Sequence, residues 1–121
     1  MGSNRRMDHM TWPEFKEAKT RHVIVPIGST EQHGQHLPIG TDAVLATRVA
    51  EDLAERIDGT VLPTLSYGYK SKPLSGGGPL FPGTIDMNGV TVINQMHDVL
   101  SELIADGFTK IVVMNAHFEN E

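Results

Sequence analysis

Apolar residues recur along this chain with two different periods, and the alternation between them outlines the fold. His22 to Ile27 is a β-branched run of the kind that forms a short buried strand, and it breaks at Pro26 and Gly28 into a loop rich in Gly, Pro and Thr. From Asp42 the period lengthens: Leu45, Val49, Leu53 and Ile57 fall four apart with Ala46, Ala50 and Ala54 beside them. Arg48, Glu51, Asp52, Glu55 and Arg56 take the opposite face, which predicts an amphipathic helix with Gly59 at its C-cap. Thr60 to Leu65 predicts a second strand, and Pro63 puts it near an edge or ends it early. Ile93, Met96, Leu100, Leu103 and Ile104 restore the helical spacing, after a cap at Asp86 or Asn88 and before a stop at Gly107. Lys110 to Asn115 is a third strand, apolar enough to be covered on both faces. Ahead of all these, Thr11 to Thr20 predicts a short helix capped by Thr11 with Trp12 and Phe15 turned inward.

The order β-α-β-loop-α-β builds a parallel sheet flanked by helices, with right-handed crossovers. The class is therefore α/β, in one unit over residues 11–121, with residues 1–10 expected to be a disordered tail or added residues. Between the second strand and the last helix, Ser66 to Asp86 holds five of the twelve glycines and three of the seven prolines, and predicts a long loop. Loops of that length inside a compact domain are usually either functional or disordered. In open parallel sheets the ligand sits beyond the carboxyl ends of the strands, and all three strand-end loops fall there.

Composition narrows the partners. A formal charge of −5 leaves no basic footprint for nucleic acid, and the apolar runs are far shorter than a membrane span. With no cysteine, any metal must be held by imidazole and carboxylate, and the expected compartment is the cytoplasm.

Candidate chemistry gathers at two strand ends. Glu31 and His33 are two apart after the first strand, and His117 and Glu119 are two apart after the third. In extended backbone, such pairs leave on the same side and converge. With Asp42, short and at the start of a helix, they make five donors, more than one catalytic zinc takes, which suggests two ions with Asp42 as the bridge. A mixed His and carboxylate set suits zinc or manganese. The bland readings are that each His–Glu pair is a hydrogen-bonded surface pair and that Asp42 only complements the helix dipole. His36 is set aside as loop, His9 as tail, His97 as helix surface and His22 as a strand start. Ser75 to Gly78 (SGGG) lacks the Lys-Ser/Thr of a P-loop and reads either as a flexible turn or as a loop whose bare backbone approaches a small substrate.

Three segments, GSTEQHGQHLPIGTD (28–42), YGYKSKPLSGGGPLFPGT (67–84) and VVMNAHFEN (112–120), resemble the creatininase (creatinine amidohydrolase) family, in register from about Thr11 to the end. The resemblance implies a three-layer α/β/α domain and two divalent ions, Zn and/or Mn, held by Glu31, His33, Asp42, His117 and Glu119, with Asp42 bridging. It further implies a hydroxide on the two metals attacking the carbonyl of a small cyclic amide such as creatinine, giving creatine, with Asp42 and Glu119 acting through the metals. Ser75 matches a substrate-contacting serine. Phe118 stands in a substrate-side position where creatininase has tyrosine, and Ala116 where it has glycine, so the reaction class is better specified than the substrate.

Family members are much longer, and their later half supplies a proton-shuttling histidine, a glutamate and tryptophans over the substrate. The chain is accordingly expected to be an N-terminal part of such a domain, inactive alone and completed by a C-terminal chain. Homo-oligomers, usually hexamers, are the expected assembly. The alternatives are a relative acting on another small amide or a formamide, and a metal-free flavodoxin-like module in which the glycine loop holds an anion.

Overall fold

A computed structural model describes residues 4–71 and 80–121. Helix α1 (Trp12–Glu17) is followed by a 3-10 turn, strand β1 (Val23–Ile27), helix α2 (Thr41–Ile57), strand β2 (Thr60–Val61), helix α3 (Gly89–Ala105) and strand β3 (Ile111–Asn115). The strands form a parallel sheet in the order β2-β1-β3. Val23 and Ile24 pair with Thr60 and Val61, and β1 runs beside β3 from Val23–Ile111 to Ile27–Asn115.

The alternation of side chains along β1 makes the layers. Ile24 points to one face, where Ala50 and Ala54 of α2 and Val61 close over it; Val23 and Val25 point to the other, against Leu62, Leu103 of α3 and Phe108. Phe15 of α1 stacks on Phe108 with ring centroids 4.9 Å apart. The result is the expected three-layer α/β/α arrangement with β1 buried along its whole length.

Several local expectations are corrected. Trp12 does not turn inward: it is 76% exposed, and Phe15 alone of the pair reaches the core. On α2 Ala46, Ala50 and Ala54, all fully buried, meet the sheet, whereas Leu45 and Val49 lie half exposed. Small residues let the helix axis come close, and that choice rotates the larger side chains outward. Ile93 and Ile104 of α3 are likewise exposed while Leu103 is buried. The left-handed residue at the end of α2 is Asp58 (φ 54°), not Gly59, and its carboxylate meets Arg5 at 2.8 Å; Asp tolerates that conformation better than most side chains.

Residues 4–10, expected as a tail, lie against the domain: the Val61 N–H donates to Arg5 O at 2.8 Å and Met7 packs on the core. A parallel edge strand leaves amide groups that a neighbouring segment can satisfy. β2 is as short as Pro63 implies, and pairing resumes once at Ile27–Leu65. β3 is not covered on both faces, since Val113 is exposed. Among the described residues no helix is long and apolar enough to cross a membrane.

Candidate metal centre

Because β1 and β3 are parallel and in register, Ile27 lies beside Asn115 and the two following loops start together at one rim of the sheet. Helix α2 begins at the same rim, and Gly28 is what lets it do so. A Cβ on Gly28 would lie 2.7 Å from the Ala43 nitrogen and 2.8 Å from the Asp42 carbonyl carbon. The exit of β1 therefore runs directly against the first turn of α2, where Asp42 is buried and where the helix dipole favours a carboxylate.

Both imidazoles turn to Asp42. His33 Nε2 lies 3.0 Å from Asp42 Oδ1 and His117 Nδ1 lies 3.0 Å from Asp42 Oδ2. Glu31 Oε1 is 3.3 Å from the same His117 Nδ1, and Glu31, Asp42 and His117 each offer a ligand atom within 4.8 Å of the others. The opposite ring nitrogens face backbone carbonyls: His33 Nδ1 is 3.0 Å from Glu31 O and His117 Nε2 is 3.1 Å from Tyr69 O.

A carbonyl only accepts, so each of those outer nitrogens must carry the proton. In a neutral imidazole the inner nitrogen then presents a lone pair to a carboxylate oxygen, which is repulsive unless a cation stands between them. Two such contacts exist, one at each oxygen of Asp42. A proton can serve as that cation. Burial works against the charged form of His33, but the Glu31 carbonyl and the charges of Asp42 and Glu31 outweigh it and hold the pKa above its ordinary 6.5. A divalent ion serves equally well. Two ligands at about 2.1 Å in tetrahedral geometry stand about 3.4 Å apart, close to the separations here, and imidazole with carboxylate is a zinc or manganese donor set. The residues fit such an ion.

The structure thus brings together Glu31, His33, Asp42 and His117. Glu119 does not join them on the Asp42 side; its Oε2 lies 3.4 Å from His117 Nε2, at the far edge of the ring. The same-side rule for residues two apart fails here because Phe118–Asn120 coils into a 3-10 turn, where successive side chains diverge by a third of a turn. Phe118 is 72% exposed. His36 is exposed in the loop, and Ser75 with the SGGG run lies outside the described residues.

Sequence reasoning missed Ser71, which is buried and whose hydroxyl donates to Glu31 Oε2. It also missed the Tyr69 carbonyl. A serine in a long polar loop carries no signal of its own, and a backbone carbonyl carries none at all.

A parallel α/β domain with an imidazole–carboxylate cluster at the carboxyl rim of its sheet is the class that the fold and the site define. A family profile described as Creatininase (creatinine amidohydrolase) matches residues 8–121, and the chain belongs to the creatininase family. It is 42% identical over 115 residues to creatinine amidohydrolase of Pseudomonas putida, covering 92% of this chain and 44% of that protein. It is 35% identical over 104 residues to the mycofactocin precursor peptide peptidase of Mycolicibacterium smegmatis, covering 81% of this chain and 40% of the relative. Similarity extends to 3-dehydro-scyllo-inosose hydrolase of Thermotoga maritima, 35% identical over 95 residues, with 78% and 29% covered.

A crystal structure of creatininase superposes with a TM-score of 0.94 at 38% identity, covering 99% of this chain and 48% of that one. Similar creatininase structures include a Mn form (TM-score 0.93, 38% identity, 98% and 48% covered) and a Zn-Zn form (TM-score 0.93, 36% identity, 99% and 48% covered). The chain spans less than half the length of the relatives it matches. Family membership sets aside the flavodoxin-like module.

Proposed function

We propose that this chain carries the metal-binding part of a cytoplasmic amidohydrolase that opens a small cyclic amide, with creatinine to creatine as the leading reaction. One observation carries the reading: two imidazoles, each with its outer nitrogen committed to a backbone carbonyl, turn their inner nitrogens to the two oxygens of a single buried carboxylate. Asp42 would serve both of two divalent ions, Zn and/or Mn, with Glu31, His33 and His117 completing the donor set around it. Glu119 is the fifth ligand by resemblance to the family motif, and its place against His117 keeps it at the rim.

Bound there, divalent ions would polarise an amide carbonyl and make water acidic enough to react near neutral pH. The chain's own part is to hold that centre. Ser71 fixes one oxygen of Glu31 and frees the other for His117. The first turn of α2 places Asp42 at the rim, where the helix dipole favours a carboxylate. Ser75 and Phe118 are the substrate-side residues; phenylalanine offers contact area but no hydroxyl donor.

The similarity to a peptide peptidase supports a second reading, in which the same centre hydrolyses another small amide or a formamide. Assembly as a homo-oligomer, hexameric by family resemblance, is supported by the exposed apolar residues Val44, Leu45 and Val49 along α2, and light scattering on the purified protein tests it. For the metal centre, elemental analysis of the purified protein is expected to give about two divalent equivalents per chain. Asp42→Ala should lose both together. Protein with all five donors intact that takes up no divalent metal when it is supplied, or an Asp42→Ala protein that keeps both ions, refutes the centre. Hydrolysis assays with creatinine, formamides and short peptides as competing substrates separate the two readings.

A further inference from the structure

We infer that Asn120 is a positioning residue for the metal centre: through Tyr69 it sets which nitrogen of His117 faces the ion. The inference rests on the metal reading above and concerns a residue that reading does not use.

The carboxamide of Asn120 ties three separate segments. Its Oδ1 accepts from the Tyr69 N–H at 2.8 Å. Its Nδ2 donates to Gly28 O, just beyond β1, at 3.0 Å and to Asn115 Oδ1, at the end of β3, at 3.2 Å. The peptide unit joining Gly68 to Tyr69 is thereby held at both ends, because Gly68 O accepts from the Met87 N–H at 2.9 Å. With that plane fixed, the next carbonyl along the chain, that of Tyr69, is aimed at His117 Nε2, 3.1 Å away.

Space at this point is made for the amide. A Cβ on Gly68 would lie 2.7 Å from Asn120 Oδ1 and 2.6 Å from Gly28 O, so only glycine allows the clasp. Asn115 secures the other side of the same histidine, accepting from the His117 N–H at 3.1 Å and donating to His117 O at 2.9 Å. His117 is thus held by its backbone through Asn115 and by its ring through Asn120 and Tyr69.

The chemical consequence is a choice of tautomer. With Nε2 protonated toward Tyr69 O, Nδ1 is free to bind a cation beside Asp42 and Glu31. Groups that orient a metal-ligating histidine in this way commonly alter metal affinity about 10–100-fold when removed. Glu119 Oε2 is the rival acceptor for Nε2, but it is the farther of the two at 3.4 Å.

The test has two arms. In the zinc-loaded, unaltered protein, nitrogen-15 NMR should show His117 protonated at Nε2 and unprotonated at Nδ1; the opposite tautomer overturns the inference without any variant. In the second arm, zinc affinity is measured by chelator competition. Asn120→Ala should weaken it at least tenfold. Asn120→Asp, which keeps an acceptor for the Tyr69 N–H, should recover part of the loss. An Asn120→Ala protein that binds zinc within about twofold of the original overturns the inference and leaves the metal centre intact. Should Asn120→Ala fail to fold, the tautomer in the unaltered protein decides. Absence of zinc binding by the unaltered protein is a different outcome: it sinks the metal reading itself, and the role of Asn120 with it.

Discussion

Strands β1 and β3 lie side by side with nearly interchangeable sequences, VIVPI and IVVMN, yet their fates differ. β1 is flanked by a strand on each side and by helices on both faces, and every residue in it is buried. Among the described residues β3 has one neighbour; Val112 and Met114 reach the layer under α2, while Val113 stays 46% exposed. Val25 and Val113 are the same residue type at paired positions, yet one is fully buried and the other is not, so burial there is set by what the topology places alongside. The loops that follow differ in a parallel way. Beyond β1 the chain runs tight against α2 and brings Asp42 to the rim. Beyond β3 it depends on two asparagines to hold one histidine.

The strongest break in that comparison should come from Ile24→Ala in β1. Truncating a fully buried aliphatic side chain costs about 2–5 kcal/mol, to be read from urea unfolding, and a loss under 1 kcal/mol would show that the centre of the sheet is not the core. Next is Gly28→Ala, whose methyl group would strike the backbone of Asp42 and Ala43. A cost of about 1–3 kcal/mol is expected from forced displacement, together with weaker metal binding because Asp42 moves with its helix turn. Unchanged metal affinity in that variant would detach the β1 exit from the site.

A smaller effect should follow pH. The folded-state pKa of His33 is raised, so in metal-free protein its contribution is fully present below the unfolded value of about 6.5 and is lost as pH rises through the folded pKa. Metal requires the same nitrogen unprotonated, so metal affinity should instead fall as pH drops through that range. Thermal unfolding and metal titration, each followed between pH 5 and pH 9, should therefore run in opposite senses; parallel trends would place the proton elsewhere. The smallest effect is expected from Val113→Thr in β3, within about 0.5 kcal/mol, since the side chain is half solvated. A large cost there would erase the contrast between the strands.

Much of this was legible along the chain. The three strands, the two long helices and their parallel connection followed from changes of period, and Glu31, His33, Asp42 and His117 do meet at the rim where strand-end loops converge. The failures share a cause. Leu45, Val49 and Trp12 were placed inward by periodicity, which identifies an apolar stripe but not which side of it the neighbour chooses. Glu119 stays beside His117 but off the Asp42 side, because a single 3-10 turn takes the place of extended backbone.

By itself the sequence determined which segments become strand and helix and which donors stand at the strand ends, because periodicity and residue chemistry act over a few neighbouring positions. The tertiary structure alone decided that two imidazoles share one carboxylate, that alanines and not leucines meet the sheet, and that a glycine and an asparagine from distant segments aim the Tyr69 carbonyl. Those outcomes depend on contacts between segments distant in sequence, such as His117 to Asp42 across 75 residues and Asn120 to Gly28 across 92, and such separations leave no local pattern to read.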